Sequence, residues 1–130
     1  MKVPFKPGDK KTFVKQVTAA DTAVFETGAV HPVYATFALG RDAEWACRLF
    51  VLDMKEEDEE GIGTFLNITH HSPALVGQEV LFTAAYKELN GNQLICAFEA
   101  TVNNRLIASG ETGQKILKKG KIETIFNQYL

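Results

Sequence analysis

The sequence predicts an α+β fold in which an antiparallel sheet of about five strands wraps around one long buried helix. Three observations support this prediction. A single stretch, residues 42–57, has helical periodicity and is apolar almost all round, as a buried helix is. Four segments with strand character follow after Gly63. Tight-turn signals at Asn90-Gly91 and Asn103-Asn104 join the last three of them, so these strands are predicted to run antiparallel.

Length and composition limit the classes of protein that the chain can belong to. Its 130 residues have the size of one domain, and no repeat or linker divides them, so we expect a single domain over residues 1–130. The net charge of -2 gives no indication of a nucleic-acid partner. The apolar runs are too short to span a membrane, and the N-terminus lacks the apolar region of a signal peptide. We therefore expect a cytoplasmic protein that binds neither nucleic acid nor membrane.

The elements before and around the helix are predicted from local composition. Residues 11–25 have the Phe, Val and Thr content of a strand. Residues 28–40 are predicted to begin as a loop, because His31 precedes a proline and such a residue avoids the helical region. The acidic run at residues 56–60 is expected to end the helix in solvent. It lacks the alternating oxygen ligands of a calcium loop.

The remaining elements are strands and one short helix. The predicted strands are residues 64–71, 78–89, 93–102 and 105–117, and the predicted helix is residues 121–130. A meander of antiparallel strands can curl around one apolar helix and cover it. This order of elements is the pattern of a hotdog fold. An α+β sandwich with the helix packed on one face is the alternative.

Two adjacent histidines end the first of the four strands, and alternation along a strand places them on opposite faces. His70 shares its face with Leu66 and Ile68, which is the more apolar one. We therefore predict that His70 points towards the core and that His71 points away from it. A one-residue bulge would reverse this assignment.

Glu44 is a carboxylate in the first turn of an otherwise apolar helix, where it needs a partner if it is buried. Two partners are open: Arg48, one helical turn later, and the inward-facing His70. A Glu–His pair can carry general acid–base chemistry, because burial and pairing tune the pKa of both groups. Otherwise His70 is a core histidine with its hydrogen bonds satisfied.

No metal site is predicted from the histidines or the cysteines. Adjacent side chains on a strand diverge, so His70 and His71 are not expected to share an ion with His31. Cys47 and Cys96 form no C-x-x-C motif. We expect both to be small buried side chains in a reducing compartment.

The segments "TFALGRDAEWACRLF" and "GIGTFLNITHHSPALVGQEV" resemble the fluoroacetyl-CoA thioesterase family of hotdog proteins, and the resemblance covers residues 30–112. The matching features are the Glu-Trp-Ala-Cys run from Glu44, the Gly63-Thr64 pair, Thr69-His70 before a Pro- and Gly-containing turn, and Ser109-Gly110. The resemblance implies an acyl-CoA thioesterase. Because the members of this family are hotdog proteins, it also implies the hotdog fold.

The resemblance further implies a catalytic set of Thr36, Glu44 and His70. Thr36 lies eight residues before Glu44, as in the family, and the family histidine falls on His70 rather than His71. In the implied reaction Glu44 is either the nucleophile or the base for water, His70 manages the proton, and Thr36 positions the attacking group. Gly63 falls on a glycine close to the acyl group, where its backbone N–H can hold the carbonyl oxygen.

The chain also departs from the family pattern. The stretch "ETGAVHPVYAT" contains none of the phenylalanines that form a lid in the fluoroacetyl-specific member, and Gln114 or a neighbour stands where an arginine is expected. The resemblance therefore implies hydrolysis of a small or medium acyl thioester rather than fluoroacetyl specificity. No cofactor is expected, because coenzyme A enters as part of the substrate.

The last predictions concern the oligomeric state, the binding of the CoA phosphates and the alternative functions. The resemblance implies a homodimer, which could pair further into a tetramer, with substrate bound between subunits. A basic cluster could hold the CoA phosphates, or it is a solvated tail; its members are Lys115, Lys118, Lys119 and Lys121. The alternative function is a non-catalytic hotdog protein that binds acyl-CoA or another small apolar ligand. A hotdog hydratase would need a D-x-x-x-x-H motif, which the sequence lacks.

Overall fold

Five antiparallel strands form the main sheet of the computed structural model, which describes residues 1–25 and 27–130. They are β1 (Lys10–Gln16), β4 (Glu59–His70), β5 (Glu79–Asn90), β6 (Gln93–Val102) and β7 (Arg105–Lys118). Their order in the sheet is β1-β5-β6-β7-β4, so β1 and β4 are its edges. A separate two-stranded sheet consists of β2 (Thr22–Phe25) and β3 (Gly28–Tyr34).

One 19-residue helix, α1 (Thr36–Met54), packs across the main sheet. Its buried apolar side chains recur every three or four positions and form one stripe along the helix. They are Ala38, Leu39, Ala43, Ala46, Cys47, Phe50, Val51 and Met54. The predicted α+β arrangement of about five antiparallel strands and one long buried helix is therefore confirmed. A short second helix, α2 (Lys119–Asn127), follows β7.

The helix begins six residues earlier than predicted, and the prediction that residues 28–40 begin as a loop is wrong. Residues Gly28–Tyr34 form β3, because the extended backbone that His31 must adopt before Pro32 suits a strand as well as a loop. Ala35 is the extended N-cap residue, and its carbonyl accepts the N–H of Leu39 at 2.9 Å. Burial of Leu39 holds this first turn in place.

The predicted strand at residues 11–25 is divided into two. Residues Ala19–Asp21 form one turn of 3₁₀ helix between β1 and β2. The Asp21 carboxylate accepts hydrogen bonds from the backbone N–H and the hydroxyl of Thr18, both at 2.8 Å. The Thr-x-x-Asp spacing is a local cap signal that competes with the extended conformation.

The acidic run is solvated only in part: α1 stops at Met54 and residues 56–58 are exposed, as expected, but β4 begins at Glu59. Glu59 is buried and accepts the N–H of Glu56 at 2.9 Å, which lowers its pKa. The helix is also not buried all round, contrary to what its apolar composition predicted. Trp45 is 42% exposed and Leu52 is 40% exposed.

A β-bulge in β4 decides which side chains face the helix. Gly63 pairs with Gln114 and Phe65 pairs with Gly113, so the intervening Thr64 has no partner in β7. Because the extra residue shifts the alternation by one, Gly63 joins the helix-facing side chains of the rest of the strand. Strict alternation back from His70 would have placed Gly63 on the outer face.

The later elements agree with the sequence to within one or two residues at most ends. Asn103 and Asn104 have positive φ angles of 48° and 65°, as the predicted tight turn requires. Cys47 and Cys96 are both buried free thiols, as expected. None of the described helices is long and apolar enough to cross a membrane.

Candidate active site

Thr36 and His70 meet at one edge of the molecule. Thr36 is the first residue of α1 and His70 is the last residue of β4. The Thr36 Oγ1 atom lies 2.8 Å from His70 Nε2, a hydrogen-bond distance. The imidazole can accept the hydroxyl proton or donate its own, depending on its tautomer. The contact therefore couples a hydroxyl to an imidazole, a side chain that can act as a general acid or base.

His71, the residue that follows β4, makes a similar contact on the other face of the sheet. Its Nε2 atom lies 2.8 Å from Ser109 Oγ, on the neighbouring strand β7. The alternation argument thus gave the correct faces, since the bulge lies at Thr64, before Leu66, and leaves the register of the last five residues unchanged. His70 is nevertheless exposed, so it lies on the helix face of the strand without being buried in the core.

Glu44 lies over Gly63, and its carboxylate occupies the space that a side chain at position 63 would need. A Cβ atom at Gly63 would stand 2.6 Å from Glu44 Oε1, closer than atoms of a side chain can approach. Neither partner predicted for Glu44 is observed. Arg48 donates instead to Glu60 at 2.5 Å, and within residues 1–25 and 27–130 the Glu44 carboxylate has no hydrogen bond or ion pair. It is a half-buried carboxylate with free acceptor positions.

The structure does not bring Thr36, Glu44 and His70 together within one chain. Eight residues of α-helix separate Thr36 from Glu44, which corresponds to about 12 Å along the axis. Both line one groove between α1 and β4, with Leu66 and Ile68 on the strand side. Because Thr36 contacts His70 and Glu44 lies over Gly63, we call the two ends of the groove the Thr–His end and the Glu–Gly end.

A second cavity opens at the Thr–His end of the groove. Its volume is about 380 Å³, and Thr36 and His70 form part of its wall. Buried aliphatic side chains line its depth, among them Leu39, Ala74 and Ile107. Reactive polar groups at the rim of an apolar cavity are typical of a small-molecule site.

A polar network that the sequence analysis did not identify supports the start of α1. The hydroxyl of Tyr34 donates to Asp42, and the Arg41 guanidinium donates to both Asp42 and Asp21 at 3.0 Å. Burial opposes ionisation of Asp21, but hydrogen bonds from Thr18, Arg41 and Lys15 outweigh it and hold its pKa at about 2. Burial and the neighbouring Asp42 raise the pKa of Tyr34. Asp42 could have been noticed by the argument used for Glu44, since both are carboxylates in an apolar helix.

Gln114 is a further polar residue beside the Glu–Gly end. It is the cross-strand partner of Gly63, and it lines a pocket with Glu44 and Arg41. The side chain is only 4% exposed, and its amide nitrogen has no hydrogen-bond partner in the described part of the chain. A buried unpaired amide costs about 1–3 kcal/mol. No spacing rule in the sequence could have identified this group.

The other predicted binding groups are placed as follows. In the part of the chain that the structure describes, no three His, Cys, Asp or Glu side chains are arranged to hold a metal ion. The basic cluster spans the end of β7 and the start of α2; its members are Lys115, Lys118, Lys119 and Lys121. Lys118 pairs with Asp58 at 2.8 Å, and the role of the cluster towards CoA stays a prediction.

Comparisons with known proteins identify the relatives of the chain. A family profile described as fluoroacetyl-CoA-specific thioesterase matches residues 17–120, which is most of the sequence. A hypothetical protein of Thermus thermophilus, described as a thioesterase superfamily member, is 38% identical with a TM-score of 0.92. That match covers 97% of this chain and 93% of the other. None of the curated proteins matches the chain.

Two more distant structures share the fold. The fluoroacetyl-CoA thioesterase FlK is 23% identical with a TM-score of 0.89, over 98% of this chain and 99% of that one. A hot-dog-like protein from Thermanaerovibrio acidaminovorans is 18% identical with a TM-score of 0.89, over 97% and 93% of the two chains. These matches confirm the predicted hotdog fold.

Proposed function

Because the chain belongs to the thioesterase family described as fluoroacetyl-CoA-specific, we propose that it hydrolyses acyl-CoA thioesters in the groove between α1 and β4. One observation carries this proposal. Thr36 and His70 lie 2.8 Å apart at the rim of an apolar cavity, in a groove that also holds the unpaired carboxylate of Glu44. Thioester hydrolysis needs a nucleophile or activated water, a proton carrier and a place for the acyl group.

The proposed roles follow from the hydrogen-bonding state of each group. Glu44 either attacks the thioester carbonyl or removes a proton from water, because its carboxylate has free acceptor positions. His70 carries the proton and delivers it to the leaving thiolate, and the Thr36 hydroxyl orients its ring. The backbone N–H of Gly63 binds the carbonyl oxygen of the thioester and stabilises the negative charge that develops on it. The missing side chain of this glycine also provides the space that the Glu44 carboxylate occupies.

We further propose that the chain forms a homodimer through β4. The edge strand β1 carries three lysines in seven residues, and charge of this kind discourages strand pairing. In β4, residues 61–69 contain no charge, and Phe65 and Leu66 are 38% and 39% exposed. An uncharged, partly apolar edge favours pairing with a second copy.

Dimerisation also accounts for the separation of the two ends of the groove. A two-fold axis through the middle of β4 pairs the strand with its copy in antiparallel register. The Gly63 end of one strand then lies beside the His70 end of the other. Glu44 of the second copy approaches Thr36 and His70, and two composite sites form.

The first experiment measures free thiol released from acetyl-, butanoyl- and octanoyl-CoA by the wild-type protein and by Glu44→Gln. We expect turnover by the wild type and a loss of at least about 100-fold in the variant, as for an essential acid–base or nucleophilic group. Binding of acyl-CoA without any thiol release would instead support the non-catalytic alternative.

A mixing experiment tests the composite site. Glu44→Gln and His70→Ala subunits are each inactive in this scheme, but a mixed dimer contains one intact site. Random reassortment then restores about a quarter of the wild-type activity, because half of the dimers are mixed and each has one of two sites. No restoration, with mixed dimers formed, would place the three groups in one subunit.

A further inference from the structure

Resting on the proposed function, we propose that the cavity at the Thr–His end holds the acyl chain and selects apolar acyl groups of medium length. The cavity extends inward from the Thr36–His70 pair towards buried aliphatic side chains. Leu39 and Ile107 are each 1% exposed and Ala74 is 2% exposed. A thioester carbonyl held at the rim therefore directs its acyl chain into the core.

The chemistry of the wall excludes a charged acyl group. In the described part of the chain, no Asp, Glu, Lys or Arg side chain lines the cavity, and its three histidines, His31, His70 and His71, are exposed at the rim rather than buried in its depth. Burial of a charge without a partner costs several kcal/mol, so a terminal carboxylate on the acyl chain finds no compensation.

Most polar side chains of the wall are already hydrogen-bonded, which also disfavours polar acyl groups. The Tyr34 hydroxyl donates to Asp42, and the Ser72 hydroxyl donates to the Leu106 carbonyl at 2.7 Å. Their hydrogen-bond donors are thus used within the protein. A hydroxylated acyl chain would lose its hydrogen bonds with water and would gain few in return.

The volume of the cavity sets the length of the acyl chain that it accommodates. A group the size of a water molecule occupies about 30 Å³ in the liquid, so a cavity of about 380 Å³ accommodates about a dozen such groups. A two-carbon acyl group leaves most of this volume unfilled. A chain of about six to ten carbons uses it, since part of the space lies at the open rim.

The test is a series of saturated acyl-CoAs from two to twelve carbons, assayed by thiol release. Each buried methylene contributes about 0.8 kcal/mol, so kcat/KM is expected to rise about fourfold per methylene until the cavity is full. Succinyl-CoA is the polar control for butanoyl-CoA, because it has the same chain length. We expect its kcat/KM to be at least about tenfold lower than that of butanoyl-CoA.

A matched pair of variants links the length preference to this cavity. Val33 lines the cavity from β3, and Val24 on β2 is 49% exposed and does not line it. Val33→Phe is expected to lower the octanoyl-to-acetyl ratio of kcat/KM at least about tenfold, because the ring fills the volume of several methylenes. Val24→Phe leaves the ratio unchanged. If Val33→Phe does not fold, Ala74→Leu provides the same test from the depth of the cavity.

The outcomes separate this inference from the proposed function. No thiol release from any acyl-CoA by the folded protein would overturn both. Release from acetyl-CoA with no gain along the series, or a succinyl-CoA rate equal to that of butanoyl-CoA, would overturn the chain selection and leave the thioesterase proposal intact. An unchanged ratio in folded Val33→Phe would show that the acyl chain lies elsewhere.

Discussion

The two faces of β4 carry adjacent histidines with matching hydrogen bonds and different surroundings. His70 and His71 each place Nε2 2.8 Å from a hydroxyl oxygen, of Thr36 and Ser109 respectively. On the helix face, Thr36 lines the groove that leads to Glu44. On the outer face, Ser109 belongs to the neighbouring strand of the same sheet. A His–hydroxyl contact alone therefore does not distinguish a candidate site; the adjoining groove and carboxylate do.

The largest expected effect comes from removing each histidine in turn. His70→Ala is expected to lower kcat by about 10²- to 10⁴-fold, because positioned acid–base groups contribute rate factors of this size. His71→Ala removes a residue from the cavity wall and is expected to change KM, but its kcat should stay within about threefold of the wild type, since its surface hydrogen bond to Ser109 contributes little. Thiol release from the best acyl-CoA measures both. Equal losses of kcat in the two variants would show that the helix face carries no more of the catalysis than the outer face.

A glycine-to-alanine change tests the helix face at its other end. The Cβ of Gly63→Ala would stand 2.6 Å from Glu44 Oε1, so the carboxylate must move. A displacement of about 1 Å at a catalytic group can lower kcat by about 100-fold. The matched control is Gly120→Ala in α2, where nothing lies within 4 Å. Wild-type kcat in Gly63→Ala would show that the position of Glu44 is unimportant.

The hydroxyl partners of the two histidines, Thr36 and Ser109, are expected to differ less in their effect on kcat. Thr36→Ala is expected to lower kcat by about tenfold to 100-fold, because His70 loses the group that orients it. Thr36→Ser keeps the hydroxyl and should restore most of the rate. Ser109→Ala on the outer face should leave kcat within about twofold. An inactive Thr36→Ser variant would indicate that the methyl group, and not the hydroxyl, is required.

The smallest expected effect on the rate comes from the network that supports α1. The pKa of Asp21 is about 2 in the folded protein against 3.8 ordinarily, so Asp21→Asn should lower the free energy of unfolding by about 2 kcal/mol at pH 7. Because the folded pKa is depressed, this contribution is present above about pH 4 and is lost as the pH falls towards 2. Urea unfolding between pH 2 and 7 measures it. A difference that does not change with pH would exclude the ionised carboxylate as its source.

The sequence predicted the sheet and the helix well because both are set by periodicity. The apolar stripe of α1 and the alternation in β5 to β7 come from local side-chain order, and the positive φ angles fall at the predicted asparagine turn. That residues 1–130 form one domain stays a prediction. The start of the helix at Thr36 was missed, because proline restricts the backbone without choosing between a loop and a strand.

The candidate site was predictable in its residue types but not in its arrangement. Thr36 and His70 are 34 positions apart in the sequence, and only the fold brings them into contact. Gly63 faces the helix because of a bulge at Thr64, which strict alternation cannot anticipate. Arg48 pairs with Glu60 on β4, and Asp42 accepts from Tyr34 on β3 in addition to its neighbour Arg41. Pairing rules within one helix therefore could not identify the partners on the strands.

The two buried cysteines have a practical consequence for these measurements. Cys47 and Cys96 are 0% and 1% exposed, so a thiol reagent that detects free coenzyme A does not reach them in the native state. They become reactive only when α1 separates from the sheet. In the absence of substrate, the slow labelling of these two residues reports the rate of core opening. One reagent can therefore follow both turnover and the lifetime of the native fold in every variant.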